Sequence, residues 1–271
     1  MSQVPFLPEW AVDDIDPNVA SMARIYDYLL GGSHHFAVDR EWSDELERMW
    51  PGIREATWAN RAFLRRVVTF CAEQGITQYL DIGSGIPTVG NVHEILANLG
   101  VDARVVYIDN DPVANVISQR LLADVPWASA VRKDFADPEG ILGSDEVAGS
   151  LDFDKPVAVL LLSILHVVGD DANPAAVIAR LRDRIPAGSV LAISHFTNEG
   201  WTADQLSELL RMSRETATPG RPRSAAEIAT LFDGFELVEP GVVRVSQWRT
   251  DPAEGAEDSW LDWIGGVGIK P

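Results

Sequence analysis

The sequence predicts an α/β fold: a mostly parallel sheet covered by helices on both faces, preceded by a helical segment. Three observations predict it. Short β-rich apolar runs alternate with capped helical stretches from residue 78 onward. Five such strand and helix units follow one another, the pattern that buries a parallel sheet between two helical layers. Before residue 76 the apolar positions recur at helical rather than strand spacing.

Asp16-Pro17 combines a capping side chain with a proline suited to the first helical position, and Val19, Met22, Ile25, Tyr26, Leu29 and Leu30 form one stripe that stops at Gly31-Gly32. A second helix is predicted over 56–74, where Phe63, Leu64, Val67, Val68 and Cys71 share a face and Gly75 ends the run. The strands follow as QYLDI, ARVVYID, SAVRKD, VAVLLLSIL and SVLAISH, then FELVEPG and a last stretch at WLDWIGGVGI. Between them Asp111-Pro112 and Asn173-Pro174 repeat the cap-plus-proline start, and Gly100 closes a helix beginning near Asn91. Thr202 to Gln205 and Ser224 to Glu227 match capping boxes, so two helices should precede the sixth strand. The predicted organisation is a helical N-terminal cap over 1–75 and a sheet domain over 76–271.

The chain has 271 residues, enough for one large core or a core with a small lobe. Forty-one acidic against 22 basic side chains give a net charge of −19, which repels phosphate backbones and anionic membranes and makes nucleic acid a poor partner. The arginine groups Arg61/Arg65/Arg66 and Arg221/Arg223 read as solvated surface. A single cysteine, Cys71, excludes a disulfide framework and points to a reducing cytoplasm. The N-terminus MSQVPFLPEW lacks a basic region followed by an apolar stretch, and no apolar run reaches the roughly 18 residues of a membrane span. His34-His35 are adjacent rather than helix-spaced, and Asp170, Asp171 and His195 show no ligand spacing, so no metal site is expected.

The chemistry concentrates at the strand ends. Tyr79-Leu80-Asp81-Ile82-Gly83-Ser84-Gly85 runs an apolar strand into a glycine turn, where open α/β sheets bind ligands. The glycines let backbone approach a ligand closely, and Asp81 supplies an acceptor for a cationic amine. The dinucleotide fingerprint needs a third small residue where this chain has Thr88, and Pro87 removes an N–H that a pyrophosphate would use. A nucleoside without a diphosphate fits better, and a nicotinamide-dependent oxidoreductase is disfavoured. Asp109, with Asn110 beside it, ends the second strand 24 residues after Gly85, at the spacing of a carboxylate that accepts ribose hydroxyls. Asp111 competes for that role but precedes Pro112 and serves better as a helix cap. At the third strand end, Asp134 can accept an exocyclic amine while Phe135 stacks on a base.

These three strand ends resemble those of class I S-adenosylmethionine-dependent methyltransferases. A narrower resemblance is carried by PNVASMARIYDYLLGG, NRAFLRRVVTF, YLDIGSGIPTVGNVHEI, VVYIDNDPVA and VAVLLLSILHVV, which look like a family described as S-adenosyl methyltransferases. The resemblance implies a Rossmann-like seven-stranded sheet and S-adenosylmethionine as cofactor. Asp81, Gly83 and Gly85, with Ser84 between them, match the first methyltransferase motif; Asp109 matches the ribose acid, and Asp134 with Phe135 the adenine contact. Ser163 and Leu165 match positions that line the methionine side. The turn departs from the motif, reading G-S-G-I-P where a third glycine is usual.

Methyl transfer needs alignment more than acid–base machinery; His166 and His195, after the fourth and fifth strands, are the candidate bases for an acceptor that loses a proton. The cap supplies Tyr26, Tyr28, Phe36, Trp42, Trp50 and Trp58 as surfaces for selecting a small-molecule methyl acceptor, with Gly31-Gly32 as a hinge for closure. Arg24, Tyr26 and Arg61 are candidates for the cofactor carboxylate. A non-catalytic protein that senses S-adenosylmethionine or S-adenosylhomocysteine has the same sequence signature. The sequence leaves the acceptor and the oligomeric state open.

Overall fold

The computed structural model describes residues 15–87, 89–218, 220–250 and 263–271. Thr88 and the start of the last expected strand, Trp260 to Asp262, lie outside the described residues, as does the N-terminal MSQVPFLPEW.

Five parallel strands, β1 (Gln78–Ile82), β2 (Arg104–Asp109), β3 (Ala128–Arg132), β4 (Ala158–Leu162) and β5 (Val190–Phe196), stand in the order β3-β2-β1-β4-β5. The order reverses at β1, which opens a crevice at the carboxyl ends of β1 and β4. Where one sixth strand was expected, two short ones occur, β6 (Glu236–Leu237) and β7 (Val243–Arg244); both pair with the antiparallel β8 (Trp263–Ile269), which borders β5. Pro240 stands between them, and a residue without an N–H cannot donate to a ladder. The result is a Rossmann-like sheet with a seven-strand path and one short extra strand.

Alternation along the strands divides the apolar side chains between two cores. Tyr79, Val105, Ala158, Leu160, Val190 and Ala192 face one, and Leu80, Val106, Ile108, Val159, Leu161 and Ile193 the other. The first core also holds side chains of α1 (Met22–Leu29), α2 (Ala37–Met49) and α3 (Ile53–Glu73). Phe63, Val67, Val68 and Cys71 of α3 lie directly in it, so packing runs without a break across residue 75. Burial pushes the Cys71 thiol up to about 12, which leaves it an inert apolar group.

The remaining helices are α4 (Val92–Leu99), α5 (Pro112–Leu121), α6 (Pro138–Leu142), α7 (Asp145–Ser150), α8 (Pro174–Arg184), α9 (Ala203–Ser213) and α10 (Ala225–Thr230). The caps of α5, α8, α9 and α10 are those written in the sequence, while α6 and α7, capped by Asp137 and Ser144, were not expected. Asp111 Oδ1 accepts from the amides of Val113 and Ala114 at 2.8 and 3.0 Å, and Asn173 caps α8. Thr202 with Gln205 and Ser224 with Glu227 form reciprocal capping boxes. The first helix differs: it starts at Met22, because Asp16 uses Oδ1 on the amide of Asn18 at 2.9 Å in a local turn. Gly31-Gly32 also has a local reason. A Cβ on Gly32 would lie 2.1 to 2.5 Å from the Asp27 carboxylate, so this glycine seats against a buried acid.

No helix among the described residues is long and apolar enough to cross a membrane.

Candidate functional site

Side-chain parity sets the site. Asp81 pairs in register with Tyr107, and Asp81 and Asp109 share the parity of Tyr79, Val105 and Tyr107. Both carboxylates therefore emerge on the α3 face, past the packed part of the strands. They line a cavity of about 580 Å³, within the roughly 300–1,000 Å³ of small-molecule sites.

The turn is stapled to the second strand. The amides of Gly83 and Ser84 donate to the Ile108 carbonyl at 2.7 and 3.1 Å, and the Gly85 amide donates to Asp109 Oδ2 at 2.7 Å. Asp109 Oδ1 accepts from the Asp111 amide at 2.8 Å. Each carboxylate oxygen keeps a further lone pair for an incoming hydroxyl. Gly83 and Gly85 take φ values of 72° and 65°, the left-handed region that favours glycine. Nothing lies within 4 Å of a Cβ built on Gly85, whereas one on Gly83 would meet Ile164 at 2.4 Å. Gly85→Ala is therefore expected to lower stability by only the left-handed backbone cost, about 1–2 kcal/mol, measurable by denaturant unfolding.

At the third strand end Asn110 Nδ2 donates to Asp134 Oδ2 at 3.3 Å, and Phe135, buried in the second core, is also among the residues lining the cavity. Ser163, at φ 59°, donates its amide to the Ser194 carbonyl and hydroxyl at 3.0 Å and accepts from Trp263 Nε1 at 3.0 Å. Leu165 differs from the expected placement: it is buried in the opposite core and does not reach the cavity.

On the helical side, Tyr26 and Arg61 line the cavity, with the Arg61 guanidinium 5.7 Å from the Tyr26 ring centroid. Arg61 Nε is buried without a hydrogen-bond partner. Asn60, which the sequence reading passed over, donates from Nδ2 to the Tyr26 hydroxyl at 2.9 Å and leaves Oδ1 buried and unpartnered. Its signal was legible as a lone amide interrupting the apolar stripe Ala56, Phe63, Leu64, Val67. Arg24 is not brought to the cavity. It is buried, its Nε lies 2.8 Å from Asp39, and its Nη1 lies 3.6 Å from Asp111. Of the cap aromatics, Tyr26 and Trp42 line the cavity; Trp50 is wholly buried and Trp58 is exposed.

The two histidines separate. His195 is fully buried and off the cavity: Nδ1 lies 2.7 Å from the Phe196 carbonyl and Nε2 3.0 Å from Arg223 Nη1. Since Arg223 only donates, the ring carries its proton on Nδ1 and both nitrogens are engaged, which leaves no lone pair for a base. His166 does line the cavity, and burial with the nearby Arg223 charge pushes it down to about 4. It is neutral at physiological pH and a weak base.

Burial pushes the Asp81 carboxyl up to about 7, with Arg61 opposing and Asp109 adding to the rise. Burial likewise lifts Asp109 to about 6 against the amide hydrogen bonds that favour its ionised form. A carboxyl raised above its unfolded pKa contributes stability that is present at low pH and is lost as pH rises toward the folded value. The ligand-free protein is thus expected to lose stability between about pH 4 and 7 through these groups. In Asp81→Asn the slope of melting temperature against pH over that window should be shallower; an unchanged slope would contradict the assignment.

The family model for S-adenosyl methyltransferases matches residues 8–271. The chain belongs to the S-adenosyl methyltransferase family. Two solved structures support this family assignment. A DUF574-family protein from Streptomyces avermitilis is 39% identical, with a TM-score of 0.88 over 94% of this chain and 99% of its own. A protein from Thermobifida fusca, proposed as a methyltransferase, is 38% identical, with a TM-score of 0.88 over 97% of this chain and 99% of its own. Human N-acetylserotonin methyltransferase, solved in complex with S-adenosylmethionine, shares the fold at 14% identity and a TM-score of 0.50, covering 90% of this chain and 62% of its own. No curated protein sequence matches the chain. The cofactor of this family is S-adenosylmethionine.

Proposed function

We propose that the cavity holds S-adenosylmethionine across the carboxyl ends of β1 to β3, and that the protein methylates a small molecule admitted beside it. The reading rests on one observation: a single cavity is lined jointly by Gly83 to Gly85, Asp109, Asp134, Phe135 and Arg61. Asp109 would accept the ribose hydroxyls, Asp134 the adenine amine, and Phe135 would cover the base. The amino-acid end would meet Asp81 and Asn60 with its ammonium and Arg61 with its carboxylate. The unpartnered Arg61 Nε and Asn60 Oδ1, one donor and one acceptor, suit a zwitterion.

When bound, the cofactor supplies an electrophilic methyl group. The chain's own residues then position an acceptor and exclude water, since an in-line displacement is accelerated chiefly by alignment. His195 is assigned to holding Arg223, and His166 to hydrogen bonding within the cavity. We read α1 and α2, in the 1–75 cap, as the cover that selects the acceptor. Calorimetric titration with S-adenosylmethionine, S-adenosylhomocysteine and NAD tests the cofactor part: the first two should bind, and tight binding of NAD alone would overturn it. Incubation with methyl-labelled cofactor and a metabolite extract should yield a labelled product. A cofactor-loaded protein that repeatedly yields none would instead be a sensor.

A further inference from the structure

We infer that the helical end of the cavity is the acceptor subsite, and that it takes an uncharged, ring-sized apolar compound with a hydroxyl or carbonyl on one edge. This rests on the cofactor reading above. The lining at this end is apolar and comes from several elements: Ile25 and Leu29 of α1, Trp42 and Leu46 of α2, Leu209 of α9 and Phe196 of β5. A flat apolar molecule meets side chains from each of these elements there, which is the usual lining of a small-molecule pocket.

The polar groups nearby are engaged within the protein. Trp42 Nε1 donates to the Met212 carbonyl at 3.4 Å, and Ser213 Oγ donates to the Leu210 carbonyl at 3.1 Å. The Tyr26 hydroxyl lies between Asn60 and the Thr57 carbonyl, and the Trp263 indole is bonded to Ser163. The carboxylates on the cavity sit elsewhere. Asp81, Asp109 and Asp134 belong to the strand ends; Asp111 caps α5 and accepts from Ser21; Asp171 is exposed. A cationic ligand would find no counter-ion among the apolar residues. An anionic one would find no cation among the apolar residues either: Arg223 is held by Leu165, Val168 and Asp170, Arg61 is taken by the cofactor carboxylate in the reading above, and Lys133 stands at the third strand end. Burying an unpaired ion is costly, so charge of either sign is selected against.

His166 offers the ligand a polar group beside the apolar residues. His166 lies in the cavity with ring centroids of Phe196 and Trp263 at 6.1 and 6.3 Å, and its Nδ1 has no hydrogen-bond partner. Held neutral, the imidazole complements a neutral hydroxyl or carbonyl rather than an ion.

The test uses the full chain saturated with S-adenosylhomocysteine and titrated calorimetrically with 2-naphthol, 2-methylnaphthalene, 2-naphthylmethylammonium and 2-naphthalenesulfonate. The expected result is that 2-naphthol binds about fivefold tighter than 2-methylnaphthalene, the gain of one neutral hydrogen bond. Both ions should bind more weakly than 2-naphthol by at least about tenfold. An ion binding as tightly as 2-naphthol, or no binding of 2-naphthol to the loaded protein, would overturn the subsite while leaving the cofactor reading in place. Failure of S-adenosylhomocysteine itself to bind would overturn both.

Discussion

Asp109→Ala is expected to lower the affinity for S-adenosylmethionine by about a hundredfold or more. Hydrogen bonds to a charged group contribute about 1.5–3 kcal/mol each, and the proposed contact uses two ribose hydroxyls, so about 3–6 kcal/mol of binding is at stake. The change also releases the amides of Gly85 and Asp111, which Asp109 holds at 2.7 and 2.8 Å, and so loosens the turn beneath the cofactor. Asp109→Asn keeps the shape and one acceptor oxygen, and should fall between the two. Calorimetric titration of the three proteins at pH 8, above the raised folded pKa of about 6, checks the order. An Asp109→Ala protein that binds like the wild type would show that the ribose lies elsewhere.

Asp39→Ala is expected to destabilise the fold by about 3–5 kcal/mol. Asp39 is fully buried and accepts from the Ser21 amide at 3.0 Å, from Arg24 Nε at 2.8 Å and from the Phe36 amide at 2.8 Å. Removing it leaves Arg24 as a buried cation with only the more distant Asp111, and leaves two amides without their acceptor. For a chain of this size each kcal/mol moves the melting temperature by roughly 2–4 °C, so a fall of about 6–20 °C is expected. Adding Arg24→Met should recover part of the loss, because the uncompensated charge is then gone. Calorimetric melting of the single and double variants measures both effects; a double variant no more stable than the single one would argue against the charge as the cause.

The parallel strands and the caps were legible because each is a local signal. QYLDI has the same bounds as β1, and Asp111-Pro112 needs only its own side chain and the next amides to begin α5. The start of α1 was misplaced because Asp16 has two local uses, a cap or a turn, and only the buried Asp39 reaching back to Ser21 sets the entry at Met22. Helix α2 was missed although Val38, Trp42 and Leu46 repeat every four residues, since the charged residues between them mask the stripe. The division of the sixth strand depends on pairing with β8, far along the chain.

The candidate site was legible only where topology places its residues. Asp81, Asp109 and Asp134 stand at strand ends, where topology alone brings them to one edge, and the cavity gathers all three. Side chains whose direction depends on tertiary partners were not readable. Arg24 turned to Asp39 rather than the cavity, His195 is held between Arg223 and a carbonyl, and Asn60 acquires its place only by packing against Tyr26.

A crystal structure of the full chain with S-adenosylhomocysteine tests the cofactor site most directly. Ribose hydroxyls are expected on Asp109, adenine beside Asp134 and Phe135, and the amino-acid end between Asp81 and Arg61. A ligand bound away from the Asp81 to Gly85 turn, or an intact protein at saturating ligand with none in that cavity, would contradict this placement.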